Sequence, residues 1–219
     1  MNEKTRKLTL MAMLGALAYL VMLIGRIPVV LFLSYDPKDI VIAIGAFLLG
    51  PLSGAAISLT VSLIEMVTVS DTGFIGFFMN VLSTCAFVLP AAWIYKRRHT
   101  LRGAALGLTA GVASMVAVMI AWNYIVTPLY MTNVSRADIA KMLIPTFLPF
   151  NLLKASLNAG LTMLLYKPVS QALGRAHLLP RADSAGAART ARRFNPTATL
   201  VSSFVVVTAI LCFWLLARG

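Results

Sequence analysis

The sequence predicts an all-α integral membrane protein, and three observations carry that prediction. Of 219 residues, 59% are hydrophobic and only 12% charged, giving a mean hydropathy of +0.86, well outside the range of soluble domains. Apolar runs recur along the chain, several near the ~20 residues that a helix needs to cross a bilayer. The basic residues, which give a net charge of +12, fall mainly in the short turns between those runs. A nucleic-acid interface would need them gathered with aromatics on a soluble surface, so that class is excluded. Cys85 and Cys212 both lie inside apolar runs and indicate neither a disulfide framework nor a metal site.

The first crossing is the run 8–25, preceded by Lys4, Arg6 and Lys7. It resembles a signal peptide, down to Ala16-Leu17-Ala18, but the hydrophobic run continues past that point and supports an uncleaved helix. Ala12, Gly15 and Ala16 form a small-residue face that admits another helix, either within the bundle or from a partner. Residues 26–38, RIPVVLFLSYDPK, hold two prolines and the polar group Ser34-Tyr35-Asp36, and read as a loop dipping over a site. The run 39–49 ends at Gly50-Pro51 and spans roughly 16 Å as a helix, too short to cross alone. Interrupted backbone at that depth is tolerated where it is buried in protein or lines a cavity.

The third crossing, 52–69, carries Glu65 near one end; a carboxylate there requires neutralisation or a partner, and Lys154 is one candidate. Residues 74–95 cross again with Asn80, Ser83 and Thr84 on one face, a pattern that serves either helix–helix adhesion or ligand contact. After the charged turn 95–102, the fifth crossing, 103–127, ends in Trp122-Asn123-Tyr124. Trp122, Tyr124 and Tyr130 fit an interfacial aromatic belt, whereas Asn123 does not.

The sixth crossing, 143–167, is the most informative. Lys154 lies roughly 16 Å from its start, near the centre of a ~30 Å hydrocarbon core. Asn151, Lys154, Asn158 and Thr162 fall at i, i+3, i+7 and i+11 and stack as one polar stripe. Either the stripe faces a polar cavity, or Lys154 snorkels outward or pairs with a carboxylate for packing. Pro145 and Pro149 sit near the entry end, where they are tolerated. Beyond it, residues 174–196 form a flexible basic linker containing Arg175, Arg181, Arg189, Arg192 and Arg193, and 197–216 is a seventh apolar run. The expected organisation is a membrane-embedded core over 1–173, a cytoplasmic linker over 174–196 and an additional transmembrane helix over 197–219.

Placing the N-terminus in the cytoplasm puts thirteen bases on that side against five on the other, with Lys38 counted among the five and Lys154 in the membrane. The positive-inside rule favours this orientation, and the basic linker can also lie on anionic membrane lipid. The broken loop 26–38, Asn123 and Asn151 then all belong to the outer half, giving a polar, aromatic-rimmed pocket that opens outward. No HExxH, P-loop, G-x-S-x-G or intramembrane aspartate pair is present, and His99 and His177 lie beside bases as solvated surface. The residues favour a binder or carrier over an enzyme.

Ala12-x-x-x-Ala16, the runs YDPKDIVIAIGAFLLGPLSG (35–54) and GFIGFFMNVLSTCAFVLPAAWIYKRR (73–98), and NYIVTPLY (123–130) with LPFNLLKASLNAGLTMLLYK (148–167) together resemble the substrate-binding S component of energy-coupling factor (ECF) transporters, of the riboflavin-specific RibU type. The resemblance covers about residues 5–173. It implies a six-helix bundle that captures riboflavin as a transported ligand, without a cofactor or ATP hydrolysis of its own. It also implies a transmembrane coupling protein and two cytoplasmic ATPase subunits as partners in a bacterial plasma membrane. Carried over, Ala12 and Ala16 match the motif used against the coupling protein, Tyr35 and Asp36 fall in the loop that closes the pocket, and Asn80, Asn123, Asn151 and Lys154 match polar positions around a flavin. The linker and seventh run depart from the six-helix pattern. An S component for another vitamin would share the fold, and a self-sufficient secondary transporter would be expected to show internal repeats and a coupled-ion site.

Overall fold

The computed structural model describes residues 2–30, 33–70, 72–130 and 135–176, together with 202, 203, 205–208 and 210. Its elements run α1 (Glu3–Gly25), β1 (Ile27–Val30), β2 (Leu33–Tyr35), α2 (Lys38–Leu49), α3 (Pro51–Thr68), α4 (Gly73–Arg98), α5 (Leu101–Ile125), α6 (Thr127–Tyr130), α7 (Arg136–Met142), a π-helical turn (Leu143–Phe147) and α8 (Leu148–Arg175). The protein is an all-α, multi-pass membrane bundle. Glu3–Gly25, Pro51–Thr68, Gly73–Arg98 and Leu101–Leu129 are each long and apolar enough to cross. The burial pattern inverts that of a soluble protein. Leu8, Ile24, Leu52, Val67, Phe74 and Leu129 are exposed, while Lys38, Asp39, Glu65, Asn123, Asn151 and Asn158 are all at most 1% exposed.

The short helix α2 is central. Every residue except Val41 is buried, and α1, α3, α4 and α8 pack around it. Enclosure by longer helices explains how a segment too short to span can sit at membrane depth. It ends at Gly50, whose φ of 93° turns the chain directly into Pro51 at the first turn of α3. Close helix contact comes from glycines: a Cβ at Gly107 or Gly111 of α5 would lie 2.5 Å from the Ala91 carbonyl oxygen or 2.4 Å from that of Phe87 in α4. One end of the bundle is plugged by Phe47, Tyr95 and Tyr166, with the two phenolic oxygens 2.8 Å apart.

Two expectations are corrected. Residues 26–38 are not an irregular loop: β1 and β2 form an antiparallel hairpin pairing Ile27 with Tyr35 and Val30 with Leu33, with an irregularity between Pro28 and Val30. The sixth crossing does not begin as regular helix at 143. Pro145 and Pro149 lack N–H donors, and the chain passes through the widened π turn before α8 starts. Helix α8 then continues past Pro168 to Arg175. Residues 177–196 lie outside the described residues, as does most of the expected additional helix; the seven described positions from 202 to 210 are helical.

Candidate functional site

Beneath the hairpin lies a cavity of about 260 Å³, near the lower end of small-molecule pockets. The hairpin and its flanks contribute Arg26, Pro28, Leu33, Ser34 and Asp36 as a cover. The α3–α4 corner adds Glu65, Ser70, Thr72 and Asn80, and α8 adds Asn151 and Lys154. Met79, Met119, Ile75 and Phe150 supply apolar wall. Hydrogen-bonding groups therefore converge from three directions on a lining that is otherwise apolar.

Asp36 is the electrostatic node. Arg26 Nε lies 3.7 Å from its Oδ1, and Lys38 Nζ and Lys154 Nζ each lie 3.9 Å from its Oδ2. All three separations exceed hydrogen-bond length, so Lys154, 7% exposed on the cavity wall, has no hydrogen-bond partner among the described residues. Lys38 instead hydrogen-bonds Glu65, and both side chains are almost fully buried. This corrects two expectations: Glu65 takes Lys38 rather than Lys154 as its partner, and Lys38 is an interior cation rather than an outer-loop base. Burial pushes the Tyr35 phenol above its ordinary value, with Asp39 and Asp36 adding to the shift, so it stays a neutral hydroxyl.

The stripe on α8 faces inward as its spacing predicts. Asn151 and Lys154 reach the cavity. One turn deeper, Asn158 Nδ2 donates to Asp39 Oδ2 at 3.2 Å, and Thr84 Oγ1 donates to Asp39 Oδ1 at 2.6 Å. Among the residues singled out from sequence, Asp36, Asn80, Asn151 and Lys154 are brought together on the cavity wall. Tyr35 and Asn123 are buried but do not line it. Tyr35 packs in a cluster with Leu157, and Asn123 turns its amide to the Met119 carbonyl at 2.8 Å while accepting from Thr127 Oγ1. Ala12 and Ala16 are exposed on α1, whereas Gly15 between them is buried, and a Cβ there would lie 3.8 Å from Ile57 Cγ2 and Val61 Cγ2. Ser70 and Thr72 carried no site signal in the sequence, because only the α3–α4 corner brings them to the others.

The architecture defines a class: a polytopic helical membrane protein with a charged, small-molecule-sized cavity, and no group of three or more His, Cys, Asp or Glu side chains arranged to hold a metal among the described residues. Within that class, the family model "ECF transporter, substrate-specific component" matches residues 6–166, and the chain belongs to that family. It is similar to "Riboflavin transporter RibU" of Staphylococcus aureus (strain TCH60), 28% identical over 182 residues, covering 79% of this chain and 95% of the relative. It is also similar to "Riboflavin transporter FmnP" of Bacillus subtilis (strain 168), 26% identical over 163 residues, covering 69% and 85%. A solved structure described as "Structure and mechanism of the S component of a bacterial ECF transporter" superimposes with a TM-score of 0.66 at 24% identity, over 78% of this chain and 98% of that one, and establishes the shared fold.

Proposed function

We propose that the chain is the riboflavin-binding subunit of an ECF-type vitamin importer, capturing its ligand in the cavity under the hairpin. The observation that carries the reading is Lys154: a cation on the cavity wall, without a hydrogen-bond partner among the described residues, in a family of substrate-binding membrane subunits whose two relatives above are named riboflavin transporters. An isoalloxazine ring offers two carbonyls and ring-nitrogen acceptors beside one imide N–H. Lys154 and the amides of Asn80 and Asn151 supply donors, while Asp36 and Glu65 supply acceptors for the imide or the ribityl hydroxyls. Phe150, Met79, Met119 and Ile75 cover the ring faces. Tyr35 and Asn123 act one layer back, Tyr35 anchoring the end of the hairpin and Asn123 shaping α5 beside Met119.

The protein performs no covalent chemistry in this account. The hairpin is the element that moves: lifting it exposes the cavity, and closing it brings Arg26 and Asp36 over the ligand. The excess of bases on alternate turns puts the N-terminus in the cytoplasm and opens the hairpin end outward, in a bacterial plasma membrane. Release inward depends on a separate transmembrane coupling protein and two ATPase subunits, which meet the exposed Ala12/Ala16 face of α1. The test is co-expression with a coupling module. Copurification and ATP-dependent riboflavin uptake are the expected results, and ion-driven uptake by this chain alone would overturn the assignment.

A further inference from the structure

The family match ends at residue 166, and the alignment with the Staphylococcus protein takes in 79% of this chain. The described positions beyond that core include seven helical residues between 202 and 210, and they are two-sided. Ser202 and Val206 are buried, while Val207 and Ile210 are exposed. Their seat is on α8. A Cβ at Gly160 would lie 2.9 Å from Val206 Cγ2, 3.3 Å from the Ser202 carbonyl oxygen and 3.5 Å from Val205 Cγ1, so all three nearest atoms belong to this segment. Ser156 and Gly160, four residues apart, open α8 to close approach of a helix backbone, and Ser202 and Val205 complete a groove there with Ala105 and Thr109 of α5.

A second observation ties the seat to the cavity. Val206 belongs to the same buried apolar cluster as Tyr35 and Leu157, and Val29 packs against that cluster. Tyr35 closes β2 immediately before Asp36, and Val29 lies on β1, so both strands of the hairpin rest on a cluster that the C-terminal segment completes.

We propose that the helical positions described between 202 and 210 dock on α8 at Gly160 and brace the hairpin in its closed position. Docked, this segment holds Leu157 and Tyr35 in one packed unit and slows lifting of the cover; undocked, it frees the hairpin to open. A chain lacking the segment opens its cavity with less resistance, which makes the segment a built-in control on exchange of whatever the cavity holds.

The brace is measured without ligand, so it stands or falls separately from the riboflavin reading. Full-length protein in lipid nanodiscs is compared with Gly160→Leu, which blocks the seat, and Val206→Ala, which thins the cluster. Amide hydrogen exchange is followed over the hairpin, with α3 and α4 as the control for an intact bundle. Both variants should speed hairpin exchange, Gly160→Leu by roughly tenfold and Val206→Ala by less, with α3 and α4 unchanged. Hairpin exchange that matches wild type in folded Val206→Ala, and in Gly160→Leu wherever that variant folds, overturns the brace.

Discussion

Replacing Lys154 by methionine isolates the group on which the ligand assignment rests. Methionine keeps an unbranched stem of similar reach and removes only the charge and its three donors. Lys154 has no hydrogen-bond partner among the described residues, and its nearest charge, Asp36 Oδ2, is 3.9 Å away, so the substitution breaks no native hydrogen bond. At an effective dielectric of ~20 that ion pair is about 4 kcal/mol of gross attraction, offset by the desolvation that burial of the ammonium costs. Asp36 retains Arg26 and Lys38, so the fold should persist. In the complex, Lys154 donates to a ligand acceptor, and a hydrogen bond to a charged group contributes about 1.5–3 kcal/mol. Riboflavin affinity should therefore fall by roughly 10- to 150-fold. Equilibrium dialysis against purified, monodisperse variant measures it. An affinity within about twofold of wild type would remove Lys154 from the site and refute the reasoning.

Lys38→Met should behave differently, because it strands Glu65 in the interior: a loss of about 3–5 kcal/mol is expected in thermal or denaturant unfolding, and adding Glu65→Gln should restore much of it. Gly111→Val drives a side chain into the Phe87 carbonyl and should cost about 1–3 kcal/mol, read as a lower melting temperature with the ligand still bound in the surviving fold. Ala16→Trp, on an exposed position of α1, should leave ligand affinity unchanged and abolish copurification with the coupling module; normal assembly would remove that face from the interface. At the start of α7, the Ser135 hydroxyl and backbone N–H hold the Asp138 carboxyl below its ordinary value. A depressed folded-state value contributes stability that is present above the unfolded value and is lost as pH falls through the folded one, so protection of the amides in the first turn of α7, taken relative to intrinsic exchange at each pH, should fall only in acid. Asp138→Asn should flatten that dependence.

The parts of the structure that were legible in the sequence are those written in one local period. The crossings α1, α3, α4 and α5 follow from apolar length, and the inward stripe Asn151, Lys154, Asn158 and Thr162 follows from 3.6-residue spacing. Gly50-Pro51 marked the corner after α2 because each residue has a backbone reason to be there. The hairpin was not legible: its strands are three and four residues long, and two prolines nearby argue for irregular chain. Nor was the Lys38–Glu65 pair, since 27 residues separate its members and only the burial of α2 brings them face to face. The Asp39 cluster joins three helices at positions 39, 84 and 158, a constellation that no linear pattern displays. Asn123 shows the converse problem. A lone asparagine in an apolar run looks like a ligand contact, yet its own helix and Thr127 take up its amide.

The measurement that bears most directly on the assignment is a titration of the wild-type chain, purified in detergent, with riboflavin followed by quenching of flavin fluorescence. A yellow preparation and saturable quenching at one flavin per chain, which an excess of thiamine or biotin leaves unchanged, are the expected results. Folded protein that fails to quench riboflavin, or that yields its site to another vitamin, would contradict the assignment.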